Sequence, residues 1–310
     1  MKYTYLNSGV DVFGADMLVK NIKGIVKKQV IGDFAGIFEH PIFEDYYLAA
    51  CTDGVGTKII PLIKKRDTKT IANDLFAMNI NDLVCCGAKP LFFLDYIALN
   101  RLDVDLVSSL VGELNKILEK YSCALLGGET SELGDLILKN NFDISGFLVG
   151  AVKKDKLIDK NNVKKGDMVI ALESSGAHSN GFSLIRKLYK DGLLSDDLFE
   201  KSLAPVRIYY DTVQKLNDKK FVKSCANITG GGILANLERS IPKGLDLKIN
   251  YDKIKLTPLF KRLLELVGEK EAYSTFNMGV GFCVICSPCN LDEVNKICAD
   301  YNPFILGEVV

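Results

Sequence analysis

The chain has 310 residues, about twice a typical domain, so two domains with separate cores are expected. Its 39 basic residues balance 39 acidic ones, which excludes a broad cationic field for nucleic acid or an anionic membrane and leaves any phosphate recognition to local geometry. Hydrophobic residues make up 48% of the chain, yet no apolar run reaches the roughly 18 residues that a membrane helix needs. The N-terminus is polar, without a charged-then-apolar export signal. With nine cysteines, an odd number, reduced thiols in the cytoplasm are expected rather than a disulfide framework.

Residues 46–51 read as a strand running into a loop at Asp53. Residues 68–86 read as a helix, with Ile71, Leu75, Met78 and Leu83 near helical spacing, stopped by Gly87 and Pro90. The apolar run 91–99 is expected to be a strand buried on both faces. Residues 103–121 repeat the helical pattern through Val104, Val107, Val111, Leu114 and Leu118. A strand at 123–126 then leads into a Gly127-Gly128-Glu129 loop, and 144–152 is a further strand. The charged stretch 153–165 marks a boundary, giving domains 1–155 and 156–310. The second half opens with a strand at 167–172, a polar loop at 174–181 and a helix at 180–190. Ile228 begins a glycine turn into a helix at 233–240. Thr257 is placed as an N-cap, with Pro258 at the first position of a helix through Leu266. Strands at 282–286 and 304–309 close the half around a helix at 291–301. Interleaved strands and helices in both halves give an α/β (α+β) layered fold.

The segment Asp53-Gly54-Val55-Gly56-Thr57-Lys58 joins a carboxylate, two side-chain-free positions, a hydroxyl and a lysine, which suits a magnesium-bound polyphosphate. The chain has neither a Walker loop nor a G-x-G-x-x-G after a strand. Asp-Gly is also an ordinary turn dipeptide, so the segment gains weight only from polar residues further along the chain. Asn73, Asp74, Asn79, Asn81 and Asp82 lie in one helix, where Glu and Lys would serve a merely solvated face better. Asn79 and Asp82, three apart, share a face and are placed toward a cation. Gly128-Glu129-Thr130 repeats the order of strand, glycine and carboxylate, while Asp95 is a weaker candidate or a structural partner. Lys58 either pairs with phosphate as a point charge or caps its own loop, and Lys23 carries the same alternatives.

His178 sits among Ser174, Ser175, Gly176, Ser179 and Asn180 before a helix, a loop that offers hydroxyls and backbone N–H groups to an anion. The stretch Ala177 to Gly181 misses the first glycine of a nucleophile elbow, and the only other histidine is His40, so a serine hydrolase is set aside. Gly230, Gly231 and Gly232 make a helix start suited to a ribose phosphate, or a turn needing positive φ. Cys283, Cys286 and Cys289 have the spacing of a metal site but lack a fitting fourth ligand, and Cys283 falls in an apolar strand. Cys85 and Cys86 read as helix packing.

Nine strings in order carry a family resemblance: SGVD at 8–11, TDGVGTK at 52–58, NDLV at 81–84, PLFFLDY at 90–96, GGET at 127–130, SSGAHSNG at 174–181, LAP at 203–205, ITGGG at 228–232 and FNMGVGF at 276–282. With them the chain resembles the phosphoribosylformylglycinamidine cyclo-ligase (aminoimidazole ribonucleotide synthetase) family of purine synthesis. The resemblance implies ATP-dependent ring closure with Mg²⁺, and a homodimer whose N-terminal sheets pair into a barrel. It implies Asp53, Asp82 and Glu129 as metal ligands, and Gly54, Gly56, Thr57, Lys58, Lys23 and Asn79 around the nucleotide. It further implies Asp53 and His178 as catalytic groups and Asn180 with Gly230, Gly231 and Gly232 as substrate contacts. Three places depart from the family pattern: Asp33 and Ala35 interrupt the segment from Gly32 to Gly36, Asn227 stands where relatives often carry histidine, and Leu133-Gly134-Asp135 replaces a Pro-Gly turn. The rival readings are another ATP-using enzyme of the superfamily, such as selenophosphate synthetase, thiamine monophosphate kinase or the hydrogenase maturation dehydratase, and a non-catalytic cysteine metal-binding protein.

Overall fold

Alternating apolar segments pair into two five-stranded sheets in the computed structural model, which describes residues 3–25, 34–39 and 42–310. In the first sheet, β1 (Gly36–Phe38), β2 (Tyr46–Gly54), β3 (Lys89–Leu99), β4 (Ala124–Glu132) and β5 (Phe142–Lys153) stand in the order β1-β2-β5-β3-β4. Only the β3–β4 pair is parallel, and the helix Val104–Lys120 makes its crossover. That helix starts at the cap Asp103, whose carboxylate accepts the Leu106 N–H at 3.0 Å, and buries Leu106, Leu110, Leu114 and Leu118 as one stripe.

The second sheet holds β6 (Met168–Glu173), β7 (Ser224–Asn227), β8 (Leu247–Ile249), β9 (Val280–Cys286) and β10 (Phe304–Val309) in the order β7-β9-β6-β10-β8, antiparallel throughout. Its second strand, β9, between β7 and β6, is buried at every position. Between the two sheets lies the helix Thr68–Val84, capped by Asp67 onto the Thr70 N–H at 3.0 Å. Ile71, Leu75, Phe76, Ile80 and Leu83 join a core shared by both sheets, with Phe93 and Leu148 of the first and Val169 and Ile285 of the second, whereas Val84 packs in a smaller cluster with Ile170, Leu172 and Phe282. The helix is therefore enclosed nearly all round, and its polar residues must find partners inside the protein.

Several expectations change. The run 91–99 is a strand, but only its inner face is covered: Phe93, Ile97 and Leu99 are buried, while Leu91 and Tyr96 are exposed. The register puts Tyr96, Phe147 and Tyr46 on one outer face, each between 41 and 43% exposed. The expected loop at Gly127–Glu129 is instead a continuation of β4, because parallel pairing with β3 carries on through Ser131 and Glu132. Thr257 holds the cap position without a side-chain bond, with Pro258 first in the helix Pro258–Val267. The helix expected at 291–301 ends at Ile297 and passes into a 3₁₀ turn, Ala299–Tyr301. Gly32 and Asp33 of the interrupted glycine segment lie outside the described residues, and Gly36 opens β1.

Candidate active site

The strand β2 runs through Asp53 to Gly54 before the chain turns into a 3₁₀ segment, Gly56–Lys58, so Asp53 stands on the last residues of the strand rather than in a loop. Here the ends of both sheets face each other across a cleft of about 510 Å³. Asp53, Gly54, Gly56, Asp143 and Ser145 line it from the first half. Ser179, Asn180, Thr229 and Gly230 line it from the second. Segments far apart in sequence thus meet at one opening, which brings together Asp53, Gly54, Gly56, Asn180 and Gly230.

Asp53 Oδ1 accepts the Gly54 N–H at 2.8 Å, but burial outweighs this bond and holds its carboxyl above the usual range. Asp82, on the Thr68–Val84 helix, has its Oδ1 bonded by Asn227 Nδ2 at 2.8 Å. Burial, with the neighbouring Asp53 charge adding to it, pushes Asp82 up to about 7 against the pull of Asn227. The Asp53 charge thus favours the protonated form of Asp82, and the Arg239 charge only partly offsets it. A divalent cation there would reverse both shifts, so the donor set fits Mg²⁺ bound with phosphate oxygens.

Glu129 does not join them. Its row across the sheet is Gly54, Ser145, Tyr96, Glu129, which sets it three strands from Gly54, about 14 Å at a spacing of about 4.8 Å. By alternation Glu129 shares the face of Tyr96 and Ser145, opposite to the Asp53 row; since Ser145 and Asp143 of that face line the cleft, it is distance along the row that sets Glu129 apart. Its nearest bond is from Ser131 Oγ at 3.2 Å. Among the described residues no three His, Cys, Asp or Glu side chains gather as a metal cluster. Beside Asp53, the acidic residue lining the cleft is Asp143, which the sequence reading missed; its signal was a polar Asp143–Ser145 alternation against apolar Phe142 and Ile144.

Lys58 and Asn79 lie beneath the cleft. Both are 0% exposed. Lys58 Nζ is 2.7 Å from Asp74 Oδ2 and donates to the Ala204 carbonyl at 2.7 Å, so the structure places it as an internal tie rather than a phosphate-facing charge. Asn79 Nδ2 donates to the carbonyls of Asp53, at 3.2 Å, and Leu75, at 2.8 Å, fixing the strand end from below. Thr57 Oγ1 is exposed and 3.2 Å from Ser183 Oγ, at the start of the helix Phe182–Lys190. Lys23 belongs to the helix Val12–Ile25, but its side chain lies outside the described residues. Asp95 shares the inward row with Asp53 and crowds Gly128, where a Cβ would meet its carboxylate.

His178 is also withdrawn from the cleft, at 1% exposure. Its Nε2 accepts the Ser175 N–H at 3.4 Å, and burial, helped by the Lys58 and Arg207 charges, lowers its pKa to about 3. A neutral, enclosed imidazole props the loop from behind. The loop itself is unsatisfied. Ser174 Oγ, Ser179 Oγ and Asn180 Nδ2 are buried atoms without a hydrogen-bond partner. Each such atom costs about 1–3 kcal/mol, a cost that a polar ligand in the cleft removes.

Of the three consecutive glycines, only Gly230 lines the cleft. Gly231 and Gly232 have φ of 92° and 75°, and a Cβ on Gly232 would strike the Tyr273 carbonyl, so these two serve the turn and its packing. The C-x-x-C-x-x-C string is split between compartments: Cys283 packs in one core cluster, Cys286 in another, and Cys289 is exposed.

Residues 32–152 match the N-terminal domain of AIR synthase related proteins, and residues 164–310 match the C-terminal domain. A phosphoribosylformylglycinamidine cyclo-ligase of Clostridium perfringens (strain 13 / Type A) is 42% identical over 308 residues, covering 94% of this chain and 92% of the relative. The chloroplastic phosphoribosylformylglycinamidine cyclo-ligase of Arabidopsis thaliana is 42% identical over 321 residues, covering 99% and 81%. Among solved structures, AaThiL complexed with AMPPCP and TMP superposes with a TM-score of 0.68 at 20% identity, covering 94% of this chain and 89% of that one, a likeness of fold. No described helix is long and apolar enough to cross a membrane. With both halves matched in order and the identity sustained along almost the whole length, the chain belongs to the phosphoribosylformylglycinamidine cyclo-ligase family.

Proposed function

We propose that the cleft closes an imidazole ring, converting formylglycinamidine ribonucleotide and ATP to aminoimidazole ribonucleotide, ADP and phosphate. An amide oxygen is a poor leaving group. Transfer of the γ-phosphoryl group to that oxygen makes it one that departs as phosphate when the amidine nitrogen attacks the same carbon. Such chemistry asks a protein mainly for alignment and charge neutralisation.

The observation that carries this reading is the meeting of Asp53 with the unsatisfied loop 174–180 across one opening. Asp53 and Asp82 would hold Mg²⁺, with Asp143 in reach of the same opening. The ion, when bound, supplies charge neutralisation for the transferring phosphoryl group. The backbone of Gly54 to Thr57 borders the phosphates, and Ser179, Asn180 and Gly230 present hydroxyl, amide and N–H groups to the ribonucleotide. His178 keeps that loop in place. A solved fold-mate holding AMPPCP supports nucleotide binding by this architecture. The superfamily alternatives rest on fold-level likeness at about 20% identity or less, against 42% to the cyclo-ligases.

The proposal extends to the assembly. Tyr46, Tyr96 and Phe147 on the outer face of the first sheet favour a homodimer in which two such faces cover each other. Division at 155/156, in the segment between β5 and β6, and a cytoplasmic setting complete the reading. The test is ADP release measured with and without formylglycinamidine ribonucleotide, for wild type and Asp53→Asn. Turnover should require the ribonucleotide and vanish in the variant; ADP release indifferent to the ribonucleotide, or an undiminished variant, refutes it.

A further inference from the structure

The polar residues around the central helix converge on one stretch of backbone, residues 204–209, which belongs to the other half of the chain. Lys58 Nζ donates to the Ala204 carbonyl at 2.7 Å, Asp74 Oδ1 accepts the Val206 N–H at 2.8 Å, and Asn73 Nδ2 donates to the Val206 carbonyl at 2.9 Å. Asn81 makes two further bonds, donating to the Arg207 carbonyl at 2.8 Å and accepting the Tyr209 N–H at 2.9 Å. An extended segment normally fills these valences on a neighbouring strand; here side chains of a helix fill them. What is read is the position of the backbone, not the identity of its side chains.

The same stretch grips the unsatisfied loop from its other side. Ser175 Oγ donates to the Pro205 carbonyl, while Arg207 Nη1 and the Tyr209 hydroxyl donate to the Glu173 carbonyl at 3.0 and 2.9 Å. The Lys58–Asp74 pair behind it is 0% exposed on both side chains. A buried ion pair adds little net stability, but it tolerates only one arrangement of its neighbours.

We propose that residues 204–209 are a strap that sets the 174–180 loop against the Asp53 strand, and that Lys58, Asp74 and Asn81 are positioning residues acting through it on the ribonucleotide. The proposal rests on the cyclo-ligase reading and deepens it: the TDGVGTK lysine governs the substrate loop, not the nucleotide.

Two variants test the strap. Lys58→Met with Asp74→Leu removes both charges at similar volume, a replacement that commonly leaves folding intact. Ser175→Ala cuts the bond between strap and loop without touching the core. Amide hydrogen exchange over 174–181 and 203–209, calorimetric affinity for AMPPCP with Mg²⁺, and kinetics against formylglycinamidine ribonucleotide are measured on the full chain. In the double variant kcat/KM for the ribonucleotide should fall about 10²-fold, the loss expected from a shift of roughly 1 Å near the chemistry. Loop exchange should quicken and AMPPCP affinity stay within about twofold, under 0.5 kcal/mol. Ser175→Ala should move the same readouts in the same direction, less far. A fall of about tenfold or more in AMPPCP affinity with loop exchange unchanged would make Lys58 a nucleotide contact and overturn the proposal. So would unchanged exchange in both variants. If wild type shows no ribonucleotide-dependent turnover, the cyclo-ligase reading fails separately, and the exchange data still decide whether the strap holds the loop.

Discussion

Replacing Asp82 by asparagine should make the protein more stable and inactive at once. In the folded chain burial, reinforced by Asp53, raises this carboxyl to about 7, against about 3.9 for a free aspartate. A raised carboxyl destabilises the fold as pH climbs. Below the unfolded value both states are protonated and nothing is lost; between the two values each pH unit removes about 1.4 kcal/mol; above the folded value the loss is complete. At pH 8 the ionised side chain therefore costs about 3–4 kcal/mol, which asparagine avoids while its own Oδ1 still accepts from Asn227. In a chain of this size that corresponds to about 5 °C in Tm. Thermal melts of wild type and Asp82→Asn from pH 4 to 8 read it directly: the gap should open through this window and level off above 7. Adding Mg²⁺ with AMPPCP should lift the wild type and leave the variant behind. A gap that does not change with pH, or a variant less stable at pH 8, would show that Asp82 carries no such burden.

Three further substitutions address the turn and the outer face. Gly232→Ala places a Cβ against the Tyr273 carbonyl at a φ of 75° and should destabilise by about 1–3 kcal/mol, read by urea unfolding, whereas Gly230→Ala, with only Asn180 Oδ1 near at 3.9 Å, should leave stability unchanged. Phe147→Arg puts a charge in the middle of the exposed sheet face; light scattering should then give half the mass of the wild-type assembly, and an unaltered mass would remove that face from the interface.

Much of this arrangement was legible in the residues, and the failures share a cause. The leucine stripe of Val104–Lys120 and the apolar repeat of Thr68–Val84 announced their elements because periodicity is a local property. The chemistry of TDGVGTK and SSGAHSNG likewise marked both walls of the cleft. Asn79 was placed toward a cation, and Asn81 was given no partner, because a short polar side chain on a helix has the same letters whether it faces a cation or a backbone carbonyl, as Asn79 does at Asp53 and Asn81 at Arg207. The loop expected at Gly127–Glu129 failed for a different reason: two glycines look like a turn, yet pairing with β3 held them in a strand. Asp143 went unnoticed because its alternation with Ser145 against Phe142 and Ile144 is also the ordinary pattern of a strand with one open face.

The enclosure of the Thr68–Val84 helix has a mechanical outcome. Its length serves as a shared spine, with Ile71, Leu75, Ile80 and Leu83 packed in a core that runs on through Val169, Ala171 and Ile285 of the second sheet, so neither half can melt while its neighbour stays intact. Calorimetry should accordingly trace one endotherm instead of two. A pair of lobes bolted to a common axle cannot swing apart like jaws, so reactants must enter where short segments yield at the mouth, and catalysis inherits a gap whose width was set when the chain folded.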